Sequence, residues 1–128
     1  MPPLSGTGVI VIVEDPFIRR FVRSVLGRSG HEVMESDAPN ALKLAAEGPG
    51  SVKLLITNKP EVFERLEHPV PILYLATFPD WDLAARFSKL RVLRKPFHAH
   101  ELLEAVGEVT GLSQDVPAQD IPSQDILS

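Results

Sequence analysis

The feature that most constrains this chain is a regular alternation of short apolar runs with amphipathic helical segments. The first apolar run, residues 9–13, contains only valine and isoleucine, which is typical of a strand buried on both faces. Further strand patterns occupy residues 31–36, 52–57, 71–76 and 90–94. Helical patterns occupy residues 17–26, a segment entered through Pro39, and residues 61–67, 80–89 and 99–109. Strands that alternate with helices predict an α/β fold, a doubly wound five-stranded parallel sheet with helices on both faces.

The length of 128 residues fits one domain. We expect a flexible leader at residues 1–7, a folded domain at 8–112 and a disordered acidic tail at 113–128. In the tail a Gln-Asp-apolar unit recurs every five residues, and it contains Asp115, Asp120 and Asp125 but no lysine or arginine. Two interpretations stay open: a flexible segment, or a short motif that docks Ile121, or Ile126 with Leu127, on a partner.

Composition excludes several classes of protein. The absence of cysteine rules out disulfides, zinc-thiolate sites and cysteine nucleophiles. The longest apolar run, residues 9–13, is far too short to span a bilayer, and the N-terminus lacks the features of a signal peptide. The net charge of -4 does not suggest a nucleic-acid partner. We therefore expect a cytoplasmic protein that binds neither membranes nor nucleic acid.

Ligand sites in parallel sheets lie beyond the carboxyl ends of the strands. The residues that follow the predicted strands are therefore the first candidates for a functional site. They are Glu14 and Asp15 after the first strand, Asn58 and Lys59 after the third, Ala76 and Thr77 around the end of the fourth, and Lys95 and Pro96 after the fifth.

Four short motifs in this order resemble a known family. They are Val11-Ile12-Val13-Glu14-Asp15, Leu54-Leu55-Ile56-Thr57-Asn58, Pro71-Ile72-Leu73-Tyr74-Leu75 and Leu93-Arg94-Lys95-Pro96-Phe97. Together they resemble bacterial response-regulator receiver domains over residues 8–112. The run Gly6-Thr7-Gly8 before the first strand most resembles receivers attached to hybrid sensor histidine kinases. The resemblance implies a flavodoxin-like fold with strand order 2-1-3-4-5. It also implies phosphoryl transfer from a kinase histidine to an aspartate beside a magnesium ion.

The resemblance assigns roles and also reveals losses. Glu14 and Asp15 match the magnesium-binding acid pair, Lys95 matches the phosphate-binding lysine, and Pro96 matches a proline that the family usually holds cis. Asn58 stands at the position of the phosphoacceptor aspartate, and a carboxamide is a poor nucleophile. Ala76 and Val92 stand where the family has a switch hydroxyl and a switch aromatic residue, although a one-residue slip would place the Thr77 hydroxyl at the first position.

These losses predict a pseudo-receiver: a signalling module without enzymatic activity or cofactor that binds a sensor histidine kinase, a regulator or an output domain, as a monomer or weak dimer. Two alternatives remain, a phosphoacceptor that uses another carboxylate such as Asp15, and a small-ligand-binding doubly wound domain. Glu14 and Asp15 are either a weak magnesium site or a remnant paired with Lys95. The Lys59 ammonium either replaces the metal ion or faces solvent.

Two surfaces are candidates for partner binding. Arg19, Arg20 and Arg23 form a basic stripe on the first predicted helix, which in the family borders the kinase-binding surface. Phe78, Trp81 and Phe97 lie near the ends of the fourth and fifth strands, where aromatic side chains can anchor a partner. We expect the aromatic residues to contribute more affinity than the arginines, which would act mainly on the association rate.

Overall fold

The structure is a computed structural model that describes residues 8–47, 51–67 and 69–110. The strands are β1 (Val9–Val13), β2 (Val33–Glu35), β3 (Val52–Thr57), β4 (Ile72–Ala76) and β5 (Leu90–Arg94). The helices are α1 (Pro16–Arg28), α2 (Ala38–Ala46), α3 (Trp81–Ala84) and α4 (Ala99–Thr110), and a 3-10 turn covers Pro60–Phe63. The predicted leader and tail lie outside the described residues.

The five strands form one parallel sheet in the order β2-β1-β3-β4-β5. Helices α1 and α4 pack on one face, while α2, the 3-10 turn and the short α3 lie on the other. This arrangement confirms the predicted doubly wound fold and its strand order. The edge strands are β2 and β5, so one side of the β5 backbone has no neighbouring strand in the sheet.

Two apolar layers enclose the sheet, because side chains alternate between its faces along each strand. The first layer joins Ile10, Ile12, Leu54, Ile56, Leu73 and Leu75 to the inner faces of α1 and α4. The second joins Val11, Val52, Leu55 and Ile72 to Ala41, Ala45 and Phe63. The central strands β1, β3 and β4 are buried on both faces, which explains their nearly uninterrupted apolar sequences.

Local sequence signals set the helix ends. Asp15, Asp37 and Asp80 cap α1, α2 and α3, each accepting a hydrogen bond from a backbone N–H three residues later. Pro16 occupies the first turn of α1, where a missing N–H costs nothing. After α1, Gly30 adopts a φ of 89°, a conformation that favours glycine, and the chain then turns toward β2.

Two predicted helices are much shorter in the structure. Residues 61–67 form only a 3-10 turn that ends at Phe63, with Phe63 buried and Leu66 half-buried against the same apolar layer. Beyond the turn, the Leu66 N–H still donates a 3.4 Å hydrogen bond to the Phe63 carbonyl oxygen three residues earlier, and this tight winding directs both side chains toward the core without a full α-helix. The prediction of a helix over residues 61–67 is therefore wrong in type and length.

The prediction for residues 80–89 is also too long. Helix α3 has a single turn, Trp81–Ala84, after which Arg86 and Phe87 donate backbone hydrogen bonds to carbonyls three residues earlier. This tighter winding lets Phe87 pack against the second apolar layer before β5 begins. Because α3 has only four residues, and none of them is buried, it covers β5 only partly.

The apolar face of α1 is shorter than its periodicity suggests. Val22, Val25 and Leu26 are buried, but Phe17 is 82% exposed and Phe21 is 38% exposed. The first turn of α1 starts directly after β1, beyond the carboxyl edge of the sheet, where few core side chains are available for packing. The sequence pattern therefore predicts the helix correctly but places Phe17 wrongly.

Candidate functional site

The carboxyl edge of the sheet brings the candidate residues together. Val13 pairs with Thr57 across β1 and β3, so Glu14 and Asn58 follow adjacent strands at the same level. Ala76 pairs with Arg94 across β4 and β5, and the Lys95 N–H donates a 3.0 Å hydrogen bond to the Ala76 carbonyl oxygen. The Lys95–Pro96 peptide bond is cis.

Glu14 and Lys95 form the centre of this site. The Lys95 Nζ lies 2.8 Å from Glu14 Oε2, and the Glu14 side chain is fully buried while that of Lys95 is 19% exposed. Glu14 Oε1 accepts a 2.9 Å hydrogen bond from the Asp15 N–H. Oε2 accepts no hydrogen bond, so its compensation is the charge of the ammonium. A buried carboxylate is thus paired with a cation that belongs to the protein itself.

Asp15 does not join this pair. Its side chain is exposed, and Oδ1 accepts a 3.1 Å hydrogen bond from the Ile18 N–H as the cap of α1. Two successive carboxylates therefore have separate structural roles, one buried in the site and the other at a helix end. The predicted remnant of Glu14, Asp15 and Lys95 is corrected to a pair of Glu14 and Lys95, because Asp15 turns outward to cap α1.

The residues present do not fit a magnesium ion of the family type. Magnesium prefers several hard oxygen ligands, usually including carboxylates. Here Glu14 is neutralised by Lys95, Asp15 caps a helix, and Asn58 supplies only an amide. Within residues 8–47, 51–67 and 69–110, no group of three histidine, cysteine, aspartate or glutamate residues could hold a metal ion. Lys59 is exposed and forms no ion pair with another described residue, which favours its solvent-facing interpretation.

The switch positions have a different chemistry from the family pattern. Ala76 is the last residue of β4, and the exposed Thr77 follows it in a loop, where its carbonyl oxygen accepts a 3.4 Å hydrogen bond from Arg94. Val92 pairs with Tyr74 across β4 and β5. An aromatic ring therefore lies beside the Val92 position, but it belongs to β4 rather than β5.

Tyr74 makes a structural contact that was not predicted from the sequence. The residue is 5% exposed, and its hydroxyl oxygen accepts a 3.1 Å hydrogen bond from the Asp80 N–H. Asp80 in turn caps α3 through the Leu83 N–H. The hydroxyl thus links the core of β4 to the start of α3. The sequence did contain a hint of this contact, because the one tyrosine of the chain lies in an otherwise aliphatic strand, where its buried hydroxyl needs a hydrogen-bond partner.

The basic stripe on α1 is not a uniform free surface. Glu35, at the end of β2, accepts a 2.9 Å hydrogen bond from Arg19 and a 3.0 Å hydrogen bond from Arg23. This fork attaches α1 to β2. Arg20 is exposed and has no carboxylate partner among the described residues. The prediction of a docking surface with three free arginines is therefore corrected: Arg19 and Arg23 are paired with Glu35, and of the three only Arg20 has no carboxylate partner among the described residues.

The three predicted aromatic residues occupy two surfaces. Phe78, in the segment between β4 and α3, is 86% exposed, and Trp81, the first residue of α3, is 60% exposed. Phe97 is half-buried, and its ring centroid lies 6.0 Å from that of Phe21 on α1. Phe97 also packs against the apolar layer under α1 and α4, whereas α3 lies on the opposite face. Phe78 and Trp81 are thus both exposed and three residues apart in the chain, whereas Phe97 packs with Phe21.

Comparison with known proteins places this geometry among solved structures. No protein-family model matches the sequence, and no curated protein matches it significantly. A response regulator receiver protein from Sinorhizobium medicae WSM419 has a TM-score of 0.65 and 18% identity, with 84% of this chain and 98% of that chain covered. The receiver domain of the hybrid histidine kinase CckA has a TM-score of 0.61 and 23% identity, with 80% and 99% covered.

A signal receiver domain of an HD domain-containing protein from Pseudomonas fluorescens Pf-5 has a TM-score of 0.69 and 22% identity, with 88% of this chain and 93% of that chain covered. Each of these chains is covered over almost its whole length, so the similarity extends over a complete receiver domain. In the part of the chain described here, no helix is long and apolar enough to cross a membrane. The sheet order, the helix placement and these similarities agree: this chain has the fold of response-regulator receiver domains.

Proposed function

We propose that this chain is a pseudo-receiver, a module of a bacterial two-component pathway that is not phosphorylated and acts by binding a protein in the cytoplasm. The observation that carries the proposal is Asn58, which follows β3 at the carboxyl edge of the sheet beside Glu14. A carboxamide lacks the anionic oxygen that attacks phosphorus in an acyl-phosphate pathway. With asparagine at this position, the site lacks the carboxylate that would accept a phosphoryl group.

The surrounding contacts support the same proposal. The Lys95 ammonium neutralises the one buried carboxylate of the site, which removes the negative charge that would attract a metal ion. Tyr74 is buried and bonded to the Asp80 N–H, so its ring has a hydroxyl contact that favours one position. A phosphorylation signal requires two conformations with different contacts, and Ala76 and Val92 offer neither a hydroxyl nor a ring to distinguish them.

Without a phosphorylation cycle, regulation must come from binding, from abundance or from a neighbouring domain. The partner that fits best is a sensor histidine kinase, a regulator or an output domain. Phe78 and Trp81 supply exposed aromatic area of the kind that anchors protein interfaces. Arg20 supplies a secondary, salt-sensitive contact, because the charges of Arg19 and Arg23 are already matched by Glu35.

The test is a phosphorylation assay read by intact mass. The chain is incubated with magnesium and acetyl phosphate, and separately with sensor histidine kinases, and the Asn58→Asp variant is treated in parallel to show that labelling is detectable. We expect no mass increase of one phosphoryl group for the native chain. Saturable labelling mapped to Asp15 would instead establish the alternative of an unusual phosphoacceptor. Capture of a two-component protein by the unlabelled chain would support the binding role.

A further inference from the structure

A shallow groove runs between α3 and the edge strand β5. It has a volume of about 460 Å³, and it is lined by Trp81, Ala84, Ala85, Leu90, Arg91 and Val92. The groove exists because α3 ends after one turn and leaves β5 partly uncovered. Apolar side chains line most of it, and Trp81 at its side is 60% exposed. An exposed apolar groove on an edge strand is unfavourable in water and is a suitable docking place for an extended segment.

The chain itself contains a segment with matching chemistry. Residues 113–128 have the unit Gln-Asp-apolar three times, with Val116, Ile121 and Ile126 as the apolar members. Each apolar side chain follows directly after an aspartate, and the segment has no lysine or arginine. Proline follows the first two units, which restricts the chain to extended or turn conformations and suits the open edge of a sheet.

The position of α4 brings this segment close to the groove. Glu108, in the last turn of α4, forms an ion pair with Arg91, one of the residues that line the groove. The tail therefore starts within a few residues of its proposed site. From Thr110, an extended chain of ~3.3 Å per residue reaches ~36 Å by Ile121, which is ample to pass around the free edge of β5.

The charges beside the groove complement the tail. Lys89 and Arg94 flank the ends of β5, are exposed and form no ion pair with another described residue. Arg91 is paired with Glu108, and two exposed carboxylates lie next to Trp81 in the chain: Asp80, which caps α3, and Asp82. Lys89, and Arg94 with only a 3.4 Å hydrogen bond to the Thr77 carbonyl oxygen, thus remain as cations without a carboxylate partner among the described residues, while the apolar residue that follows each aspartate of the tail can enter the groove.

We propose that residues 113–128 dock in the groove between α3 and β5 of the same chain, with an apolar residue of one Gln-Asp-apolar unit against Trp81 and its aspartate beside Lys89 or Arg94. Three equivalent units are tethered near one groove, and this raises the effective concentration of docking units at the groove. The docked tail covers Trp81, so a protein partner that uses Trp81 must displace it. The tail is then an internal competitor, and the docking itself requires no partner.

The test uses the fluorescence of the full chain, since Trp81 is its one tryptophan. The tail variant Val116→Ser/Ile121→Ser/Ile126→Ser/Leu127→Ser is compared with the native chain and with a matched control, Gln114→Ser/Gln119→Ser/Gln124→Ser. We expect the tail variant to shift Trp81 emission to longer wavelength and to increase its quenching by acrylamide, while the control resembles the native chain. Nuclear Overhauser contacts between the Trp81 indole and tail methyl groups should be present in the native chain and lost in the tail variant.

A change in the groove should have the same effect. Ala85→Glu adds a carboxylate to the exposed wall of the groove and should release the acidic tail, whereas Ala46→Glu on the exposed end of α2 should not. Identical emission and quenching in the native chain and the tail variant would overturn the proposal. It would also be overturned if protection of Trp81 increased with protein concentration, because the tail would then dock on a second copy.

Discussion

The Nζ atom of Lys95 lies 2.8 Å from Oε2 of Glu14, so a residue after β5 forms an ion pair with a residue after β1. Between these two strands in the sheet lie β3 and β4, and the ion pair spans their carboxyl ends. Glu14 contributes a fully buried carboxylate, whose charge is compensated by this contact. The pair therefore connects strands that are not neighbours in the sheet, and it places a cation of the protein itself beside the buried carboxylate.

Removal of one member of this pair should destabilise the domain. Lys95→Met leaves the Glu14 carboxylate buried without its cation, and we expect the free energy of unfolding to fall by about 3 kcal/mol, the lower end for a broken buried pair, because Lys95 retains some exposure. Urea denaturation at pH 7 measures this loss. The double variant Glu14→Gln/Lys95→Met should recover most of it, and a double variant no more stable than Lys95→Met would contradict the role of the pair.

Magnesium should bind weakly or not at all. An ion entering the site must compete with an ammonium already held beside Glu14, and it finds an amide at Asn58 instead of a carboxylate. In an NMR titration, millimolar magnesium should leave the amide resonances of Glu14, Asp15 and Asn58 unchanged. Saturable shifts at these residues would show that the Lys95 contact opens readily, and the Asn58→Asp variant serves as the positive comparison.

Asn58→Asp alone should not restore a phosphorylation switch. The change returns a nucleophilic carboxylate and a negative charge, so slow labelling by acetyl phosphate is expected. The response to that label should be confined to the site, because Ala76 and Val92 cannot form a state-dependent contact and Tyr74 stays bonded to Asp80. Amide shifts before and after labelling test this. Rearrangement extending through β4, β5 and α3 would show that another residue transmits the signal.

Partner binding should depend more on Trp81 than on Arg20. Loss of a central aromatic anchor costs ~2 kcal/mol or more, so Trp81→Ala should weaken binding of a captured partner at least about tenfold. Arg20→Ala should cost ~0–1 kcal/mol, and its effect should fade at high salt. Circular dichroism checks that both variants remain folded. Normal binding by Trp81→Ala would exclude the start of α3 as the main contact.

The histidine between α1 and β2 should make stability depend on pH. Burial, together with the neighbouring Lys53 ammonium, lowers the pKa of His31 below its ordinary 6.5. The unfolded chain therefore binds more protons than the folded chain between the lowered pKa and pH 6.5. The free energy of unfolding should rise with pH through this interval and level off above it. Denaturation at several pH values should show a smaller slope for His31→Gln, and an unchanged slope would remove His31 as its source.

Much of the fold could be predicted from short-range patterns. The apolar runs identify β1, β3, β4 and β5 almost to the residue, Pro16 marks the first turn of α1, and Asp37 and Asp80 mark where α2 and α3 begin. Such signals are local, because strand burial and helix capping depend on residues a few positions apart. The identity of Asn58 is likewise a property of the sequence, and the prediction that the chain lacks a phosphoacceptor aspartate depends on no tertiary contact.

Contacts between distant segments were not predictable in the same way. Helical periodicity placed Phe17 on an apolar face, but the sheet ends before its side chain can be covered. The sequence pairs Glu14 with Asp15 as neighbours, yet one carboxylate enters the site and the other caps α1. The division of the arginine stripe depends on Glu35, which is brought to α1 by the pairing of β2 with β1. Each outcome depends on which segments pack together, and so on the free energy of the whole sheet rather than on the preferences of any one segment.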